Sequence, residues 1–323
     1  RWNDRSFASS MGGHFRGRVD TDGSHERERF GESKPGLARP KAPVRGASRE
    51  GFCGGVVAVS RIWSDSLVMP LCDALLDTSS ALAAMMRQVR DPTVRAVGVW
   101  SIGETAAHVS GSSRYFLAAA RGEAVLERLD DVDRSNARAL ATDPERDPGR
   151  LADRLETGEQ ALVGFARQVE GDPQVHPFEA VEVPLSTLLA IELGELLVHG
   201  FDIARAAHLP WPLDPAAAIL TLQGYLPLMP YTLDAARARD VRLALEIRIR
   251  SMRPVVVSIA DDELVVDDSG KRRVDARIAA TPTAYLLLMW NRIPPWQPLL
   301  TGQLLIWGRR PWRALELGRL THA

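Results

Sequence analysis

The spacing of apolar residues divides the chain into a helix-rich first part and a strand-rich second part. Between residues 65 and 91, apolar side chains recur every three or four positions, as they do on one face of a helix. The same spacing predicts helices over 102–121, 148–170 and 185–207. A further, shorter helix is predicted to end before Asp143. The long helices lie within one continuous stretch, which favours a four-helix bundle with its functional residues on inward faces.

The start of the second long helix has a recognisable sequence signal. Ser101 and Glu104 form a Ser-x-x-Glu capping box, which predicts that the helix begins at Ile102. This start places His108 near the end of the second helical turn.

Beyond Asp240 the apolar period changes from about 3.6 to two. Alternation predicts strands over 241–247, 255–259, 264–266, 274–279 and 303–307, with a turn at 267–270 and helices over 282–290 and 311–320. Residues 215–239 are predicted as a helical joining segment interrupted by Pro227 and Pro230. The predicted fold class is α+β: a disordered tail (1–60), a helical bundle (61–212), and a small α/β domain with a mostly antiparallel sheet (213–323).

The composition of the chain limits the classes of partner and the location that we expect for it. Acidic and basic residues nearly cancel, with a net charge of −1, which argues against nucleic acid or charge-driven membrane binding. The sequence contains no uninterrupted run of about 18 apolar residues, so no membrane span is predicted. Cys53 and Cys72 are the two cysteines, too few for a disulfide framework, so a cytoplasmic location is expected. Residues 1–60 have few aliphatic side chains and no period, which is typical of disorder.

Candidate chemistry centres on one helix of the bundle. Glu195 and His199 stand four residues apart and therefore share a helix face. They lie in a strongly apolar stretch, where an unpaired charge is costly, and His108 on another helix could complete three ligands for a divalent metal ion. Two plainer interpretations remain: an ordinary helical ion pair for Glu195 and His199, and a hydrogen-bonded core histidine for His108. The positions of Asp202 and Arg205 favour a salt bridge between them on the helix over a role in supporting a metal ligand. The position of His208 favours stabilisation of the helix C-terminus through the helix dipole.

Two segments resemble a known family. Trp100-Ser-Ile-Gly-Glu-Thr-Ala-Ala-His108 resembles the W-t-v-x-e-l-x-x-H segment of the mycothiol-dependent maleylpyruvate isomerase family, and the segment from Glu195 to Ala204 resembles its E-x-x-x-H-x-x-D-x-A segment. The resemblance covers about residues 62–212. It implies a DinB-like bundle in which His108, Glu195 and His199 hold a divalent metal, usually zinc, and in which mycothiol is the thiol cosubstrate.

The second part of the chain is similar to the sterol-carrier-protein-2-like domain found in these proteins. The segment from Leu288 to Arg292 resembles an l-l-W-G-R element, and the segment from Leu300 to Ile306 a v-x-G-x-l-x-v strand. Asn291 replaces the usual glycine and Gln303 an acidic residue. The first change could reshape the turn that presents Arg292.

The resemblance implies a thiol-dependent isomerase or transferase acting on a small electrophile. In such an enzyme a metal-bound thiolate would add to the cis double bond of maleylpyruvate, and Arg292 could pair with a substrate carboxylate. A structural turn role for Arg292 stays equally open. The alternatives are a metal-dependent hydrolase using metal-bound water, and a non-catalytic protein binding a lipid or other apolar ligand. Mixed N and O ligands favour zinc, and both a monomer and a homodimer remain open.

Overall fold

The computed structural model describes residues 67–123, 132–179, 181–268 and 273–321. The predicted disordered tail, residues 1–60, lies outside these residues. The described chain is mainly helical up to residue 207, apart from two short hairpins, and contains a five-stranded sheet from residue 243 onward. The predicted α+β class, with a helical bundle followed by a mostly antiparallel sheet, is confirmed.

Four long helices form the bundle: α1 (Val68–Met86), α2 (Ile102–Ala120), α4 (Pro148–Ala166) and α5 (Leu185–Ala207), with a shorter α3 (Val132–Thr142) beside α2. Each of α1 and α2 packs against both α4 and α5. Nineteen of the 23 residues of α5 are buried, because α6 (Pro215–Tyr225) also covers it. A helix enclosed in this way is apolar around most of its circumference, so any charge on it must find a partner inside the protein.

The ends of these helices follow their capping residues. The predicted capping box is present: the Ser101 hydroxyl accepts a hydrogen bond from the Glu104 N–H, and the Glu104 carboxylate accepts one from the Ser101 N–H. Helix α4 begins after Asp147, which caps it. It ends at Ala166, four residues before the predicted end, because the N–H groups of Gln168 and Val169 donate to carbonyls only three residues back, in a tightened last turn.

Two short hairpins join the helices. β1 (Arg95–Val97) pairs with β2 (Trp100–Ser101), and β3 (Gln174–Phe178) pairs with β4 (Val181–Pro184). Val175 and Phe178 are buried, and their apolar contact with the core offsets the weak strand signal of this polar segment.

The joining segment is helical and interrupted, as predicted. It contains α6, a 3-10 turn (Met229–Thr232) and α7 (Ala235–Ala238). Gly224 of α6 sits so close to α5 that an added Cβ would lie 2.4 Å from the Cβ of Ala190. Helix α6 thus packs directly on the bundle.

The sheet contains β5 (Leu243–Ile249), β6 (Val255–Ala260), β7 (Glu263–Asp267), β8 (Ala276–Ala280) and β9 (Leu304–Gly308). Their order is β7-β6-β5-β8-β9, and every pair is antiparallel except β5 with β8. The turn between β6 and β7 uses Asp261 and Asp262, both with positive φ, as a two-residue hairpin of this kind requires. β9 forms one edge of the sheet.

Short helices complete the second part: α8 (Pro282–Met289), α9 (Trp296–Leu300), a 3-10 turn (Pro311–Leu315) and α10 (Leu317–Leu320). The single helix predicted over 311–320 was wrong, since the chain forms the 3-10 turn and then one helical turn. Helix α9 was not predicted because three prolines between 294 and 298 hide its pattern. The boundary between domains at residue 212 stays a prediction.

Within the described ranges, one helix is long and apolar enough to cross a membrane by length and composition, namely α1. Core helices pass the same test. Ten of its residues, including Leu71, Leu75 and Leu82, are buried in the bundle, which accounts for its apolar character.

Candidate metal centre

The three predicted metal ligands lie together in the bundle. His108 projects from α2, and Glu195 and His199 project from the facing turn of α5. One Glu195 oxygen lies 3.0 Å from His108 Nε2 and 3.1 Å from His199 Nε2. The packing of α2 on α5 therefore joins residues that are 87 positions apart in sequence.

The donor set fits a divalent metal ion. The three donor atoms lie within 4.8 Å of one another, and tetrahedral zinc with bonds of about 2.0–2.1 Å separates its ligands by about 3.3 Å. The two imidazole rings meet edge to face, with centroids 5.0 Å apart. Small adjustments of the side chains would thus place an ion between them. Three protein donors leave a further coordination position for water or substrate.

Burial and mutual contacts shift the pKa values of the three groups. Burial alone would raise the pKa of Glu195, but the contacts with His108 and His199 outweigh it and hold this pKa far below its ordinary value. Burial lowers the pKa of His108 more strongly than Glu195 raises it. For His199 burial is outweighed by Asp202 and Glu195, which raise its pKa to about 8. The site therefore presents an ionised carboxylate and a neutral His108 near neutral pH.

A second carboxylate connects the site to the sheet-containing part of the chain. Asp202 is fully buried, and its Oδ2 lies 3.2 Å from His199 Nδ1 and 2.8 Å from Arg292 Nε. A carboxylate behind the non-ligating nitrogen orients a metal-binding imidazole. The predicted Asp202–Arg205 salt bridge is loose at 3.9 Å, and Arg205 donates to the Ala96 carbonyl instead.

Arg292 reaches this position from the turn after α8. Its Nη1 donates to the Trp290 carbonyl, and its Nη2 is buried with no hydrogen-bond partner among the described residues. Asn291 adopts a left-handed backbone with φ of 54°, a conformation that asparagine tolerates. The departure from glycine is thus compatible with the turn that presents Arg292.

Trp100 is a site residue that the spacing of charged groups did not reveal. Its ring lies 5.1 Å from the His108 ring and 6.3 Å from the His199 ring. Trp100 directly precedes Ser101, the capping residue of α2. The start of this helix therefore places the Trp100 ring beside the rings of His108 and His199. His208, which was expected near the C-terminus of α5, is the capping residue there, with a left-handed backbone.

Two more carboxyl groups lie deeper in the bundle. Glu159 of α4 and Glu192 of α5 are both fully buried and interact with each other. Glu192 Oε1 accepts a hydrogen bond of 2.7 Å from Ser112, but neither Glu159 oxygen has a donor among the described residues. Burial raises the pKa of Glu159 to about 7 and that of Glu192 well above its ordinary value. We call these two residues the buried acid pair.

Comparison with known proteins identifies the helical part. Residues 68–204 match the family model described as "Mycothiol maleylpyruvate isomerase N-terminal domain". The helical part of this chain is therefore similar to that domain. The match includes His108, Glu195 and His199, and it confirms the predicted family. The search of curated proteins found no match.

Solved structures align with the chain at low similarity. A mycothiol-dependent maleylpyruvate isomerase aligns at 12% identity and a TM-score of 0.41, over 68% of this chain and 87% of that chain. A sec-alkylsulfatase from Pseudomonas sp. aligns at 12% identity and a TM-score of 0.29, over 67% of this chain and 32% of that one. Sterol carrier protein 2 from Yarrowia lipolytica aligns at 14% identity and a TM-score of 0.18, over 23% of this chain and 65% of that one. The resemblance to the isomerase family rests on the match over residues 68–204. The likeness of the second part to sterol carrier protein 2 stays a prediction.

Proposed function

We propose that this protein is a metal-dependent isomerase or thiol transferase that uses mycothiol and acts on a small electrophile of the maleylpyruvate type. The observation that carries the proposal is the convergence of His108, Glu195 and His199 to within 4.8 Å inside a domain of this family. The proposed metal is zinc, which suits two imidazoles and one carboxylate.

The proposed metal site supplies activation of the thiol. A bound divalent cation would keep a coordinated thiol deprotonated near neutral pH, so that a nucleophile is present without a separate base. The side chains of this protein hold the site in shape. Asp202 fixes the ring orientation of His199, Arg292 holds Asp202, and Trp100 covers one side of the two imidazoles.

Arg292 has a second proposed role, in binding substrate. Its Nε is engaged by Asp202, but Nη2 has no partner in the described part of the chain. A guanidinium nitrogen buried without a partner favours a carboxylate, which would accept a charge-assisted hydrogen bond from it. We propose that a substrate carboxylate takes this position, which would orient the electrophilic carbon toward the thiol.

The test is an isomerisation assay with maleylpyruvate and related electrophiles, carried out with and without mycothiol on the zinc-loaded protein. Turnover that requires both mycothiol and zinc is expected, with loss of turnover in Glu195→Ala and normal turnover in His176→Ala, an exposed histidine of β3. Zinc-dependent turnover without any thiol would instead support the hydrolase alternative, because the same open position can activate water. No turnover with any electrophile in the panel would count against both.

The lipid-binding alternative has less support. An apolar cavity between α6 and the sheet, lined by Leu222, Tyr225, Ile247, Tyr285 and Met289 among others, has a volume of about 20 Å³. That volume holds about one water molecule, so the cavity would have to expand greatly to accept a lipid. This alternative also gives no role to the three converging ligands.

A further inference from the structure

Exposed apolar side chains are concentrated near the C-terminus. Across the described residues, ten large apolar side chains are exposed, and seven of them fall between residues 296 and 315. They come from α9, from β9 and from the 3-10 turn that follows: Trp296, Leu299, Leu300, Leu305, Trp307, Trp312 and Leu315. We call these seven side chains the C-terminal apolar patch.

The three segments that carry the patch are neighbours in the fold. Both α9 and the 3-10 turn pack against β9. Leu305 and Trp307 are two residues apart on β9 and therefore point to the same face of the sheet, opposite to Leu304, which is buried. Because β9 is the last strand of the sheet, the patch lies at the edge of the molecule's sheet rather than between packed elements.

The patch is large for an isolated protein surface. Trp296, Trp307 and Trp312 are 62%, 41% and 66% exposed. With about 150–250 Å² for each tryptophan side chain, they alone present roughly 250–400 Å² to solvent. Four exposed leucines add to this area. A patch that exceeds a few hundred Å² marks a site of interaction with another protein or with a membrane.

The positive charge around the patch favours an anionic membrane over a second copy of this chain as its partner. Residues 291–323 contain five arginines and one glutamate, a net charge of +4 in a chain whose net charge is −1. Arg292 and Arg313 are used in ion pairs with Asp202 and Glu316. Arg309 and Arg310 are exposed next to Trp307 and Trp312, Arg310 in a loose contact of 3.7 Å with Asp275. A second copy of this surface would meet it with the same positive charge.

We propose that the C-terminal apolar patch docks on an anionic membrane surface. Tryptophan rings insert at the level of lipid headgroups, leucines bury in the boundary of the acyl chains, and nearby arginines attract anionic lipids. This inference departs from the sequence expectation of no membrane partner, which relied on the near-zero charge of the whole chain. It is independent of the proposed enzymatic function, because none of the seven side chains belongs to the metal centre.

The test is cosedimentation of the full chain with vesicles. Vesicles of equal parts phosphatidylcholine and phosphatidylglycerol are expected to bind the protein. Vesicles of phosphatidylcholine alone are expected to bind it at least roughly tenfold more weakly. Raising NaCl from about 0.1 M to about 1 M shortens the screening length from about 10 Å to 3 Å and should release it. Brominated lipid should quench the tryptophan fluorescence of the bound protein.

Matched variants locate the surface. Arg309→Glu with Arg310→Glu, and separately Trp296→Ser with Trp312→Ser, are each expected to lower vesicle binding by roughly tenfold or more. The controls are Arg90→Glu with Arg114→Glu, which reverse two exposed charges on the helical part, and Met69→Ser, which removes an exposed apolar side chain of α1. The controls should bind as the unaltered chain does, and circular dichroism checks that all variants are folded.

Two results would overturn the proposal. The first is equal binding to anionic vesicles by the patch variants and the controls, or no binding by the full chain. The second is a dimer in sedimentation velocity that Trp296→Ser with Trp312→Ser dissociates, without vesicle binding, which would assign the patch to a second copy.

Discussion

The buried acid pair predicts an unusual dependence of stability on pH. Burial raises the pKa of both carboxyl groups, so Glu159 and Glu192 are both protonated in the folded protein at acidic pH. Above the pKa of Glu159 its proton is lost and the bundle interior acquires an uncompensated charge. Replacing Glu159 by glutamine removes the titration of Glu159 and leaves an amide N–H that can donate to Glu192.

The size of the effect follows from the shift in pKa. The pKa of Glu159 rises from 4.5 to about 7 on folding. Since the acid binds its proton more tightly when folded, its contribution to stability is full below pH 4.5 and is lost as pH rises through about 7. A shift of this size corresponds to about 3 kcal/mol of folding free energy between pH 4 and pH 8.

The assay is urea unfolding of the unaltered chain and Glu159→Gln at several pH values across this range. The difference in unfolding free energy should change by about 3 kcal/mol in favour of the glutamine variant as pH rises. Comparing the two proteins cancels the opposite contribution of Glu195, whose pKa is lowered. Glu170→Gln, at an exposed position after α4, is the control and should show no such change. Parallel curves for Glu159→Gln and the unaltered chain would refute the reasoning.

Three further predictions concern the site and its helix. Asp202→Asn should weaken zinc binding by about 10–100-fold, measured by competition with a chelating dye, while the exposed Asp153→Asn should not. Arg292→Lys keeps the charge, but a lysine cannot contact both Asp202 and the Trp290 carbonyl with one planar group. Because Asp202 itself remains, this variant should lower zinc affinity less than Asp202→Asn does. An equal loss would contradict this order. Ser101→Ala should cost about 1 kcal/mol in urea unfolding by removing the capping hydrogen bond. No loss of stability would show that the cap contributes nothing.

The bundle could be predicted because its local signals agree with its packing. Ser101 and Glu104 set the start of α2, and Pro184 and Pro210 bracket α5. The Glu195–His199 spacing gave two of the three donor residues directly, since residues four apart share a helix face. The third, His108, followed from the resemblance and from its position on a second helix.

What could not be predicted depends on contacts between distant segments. The hydrogen bond of Arg292 to Asp202 joins residues 90 positions apart, and no local pattern fixes it. The strand pairing of residues 174–178 depends on burial of Val175 and Phe178 against the bundle.

The buried acid pair did leave a signal in the sequence. Leu151, Leu155 and Leu162 define the inward face of α4, and Glu159 lies on the same face, four residues after Leu155. Glu192 likewise precedes Glu195 by one helical turn. A charged residue at a core-facing position of a helix indicates a buried partner, and this rule would have found both residues.

We propose above all that His108, Glu195 and His199 hold one divalent metal ion. Metal content after zinc loading and dialysis tests it most directly, in the unaltered chain, His108→Ala, His199→Ala and the control His176→Ala. We predict about one zinc ion per chain in the unaltered protein and the control, and little in the two ligand variants, with helical content preserved by circular dichroism. Full zinc occupancy in His108→Ala or His199→Ala would contradict the account.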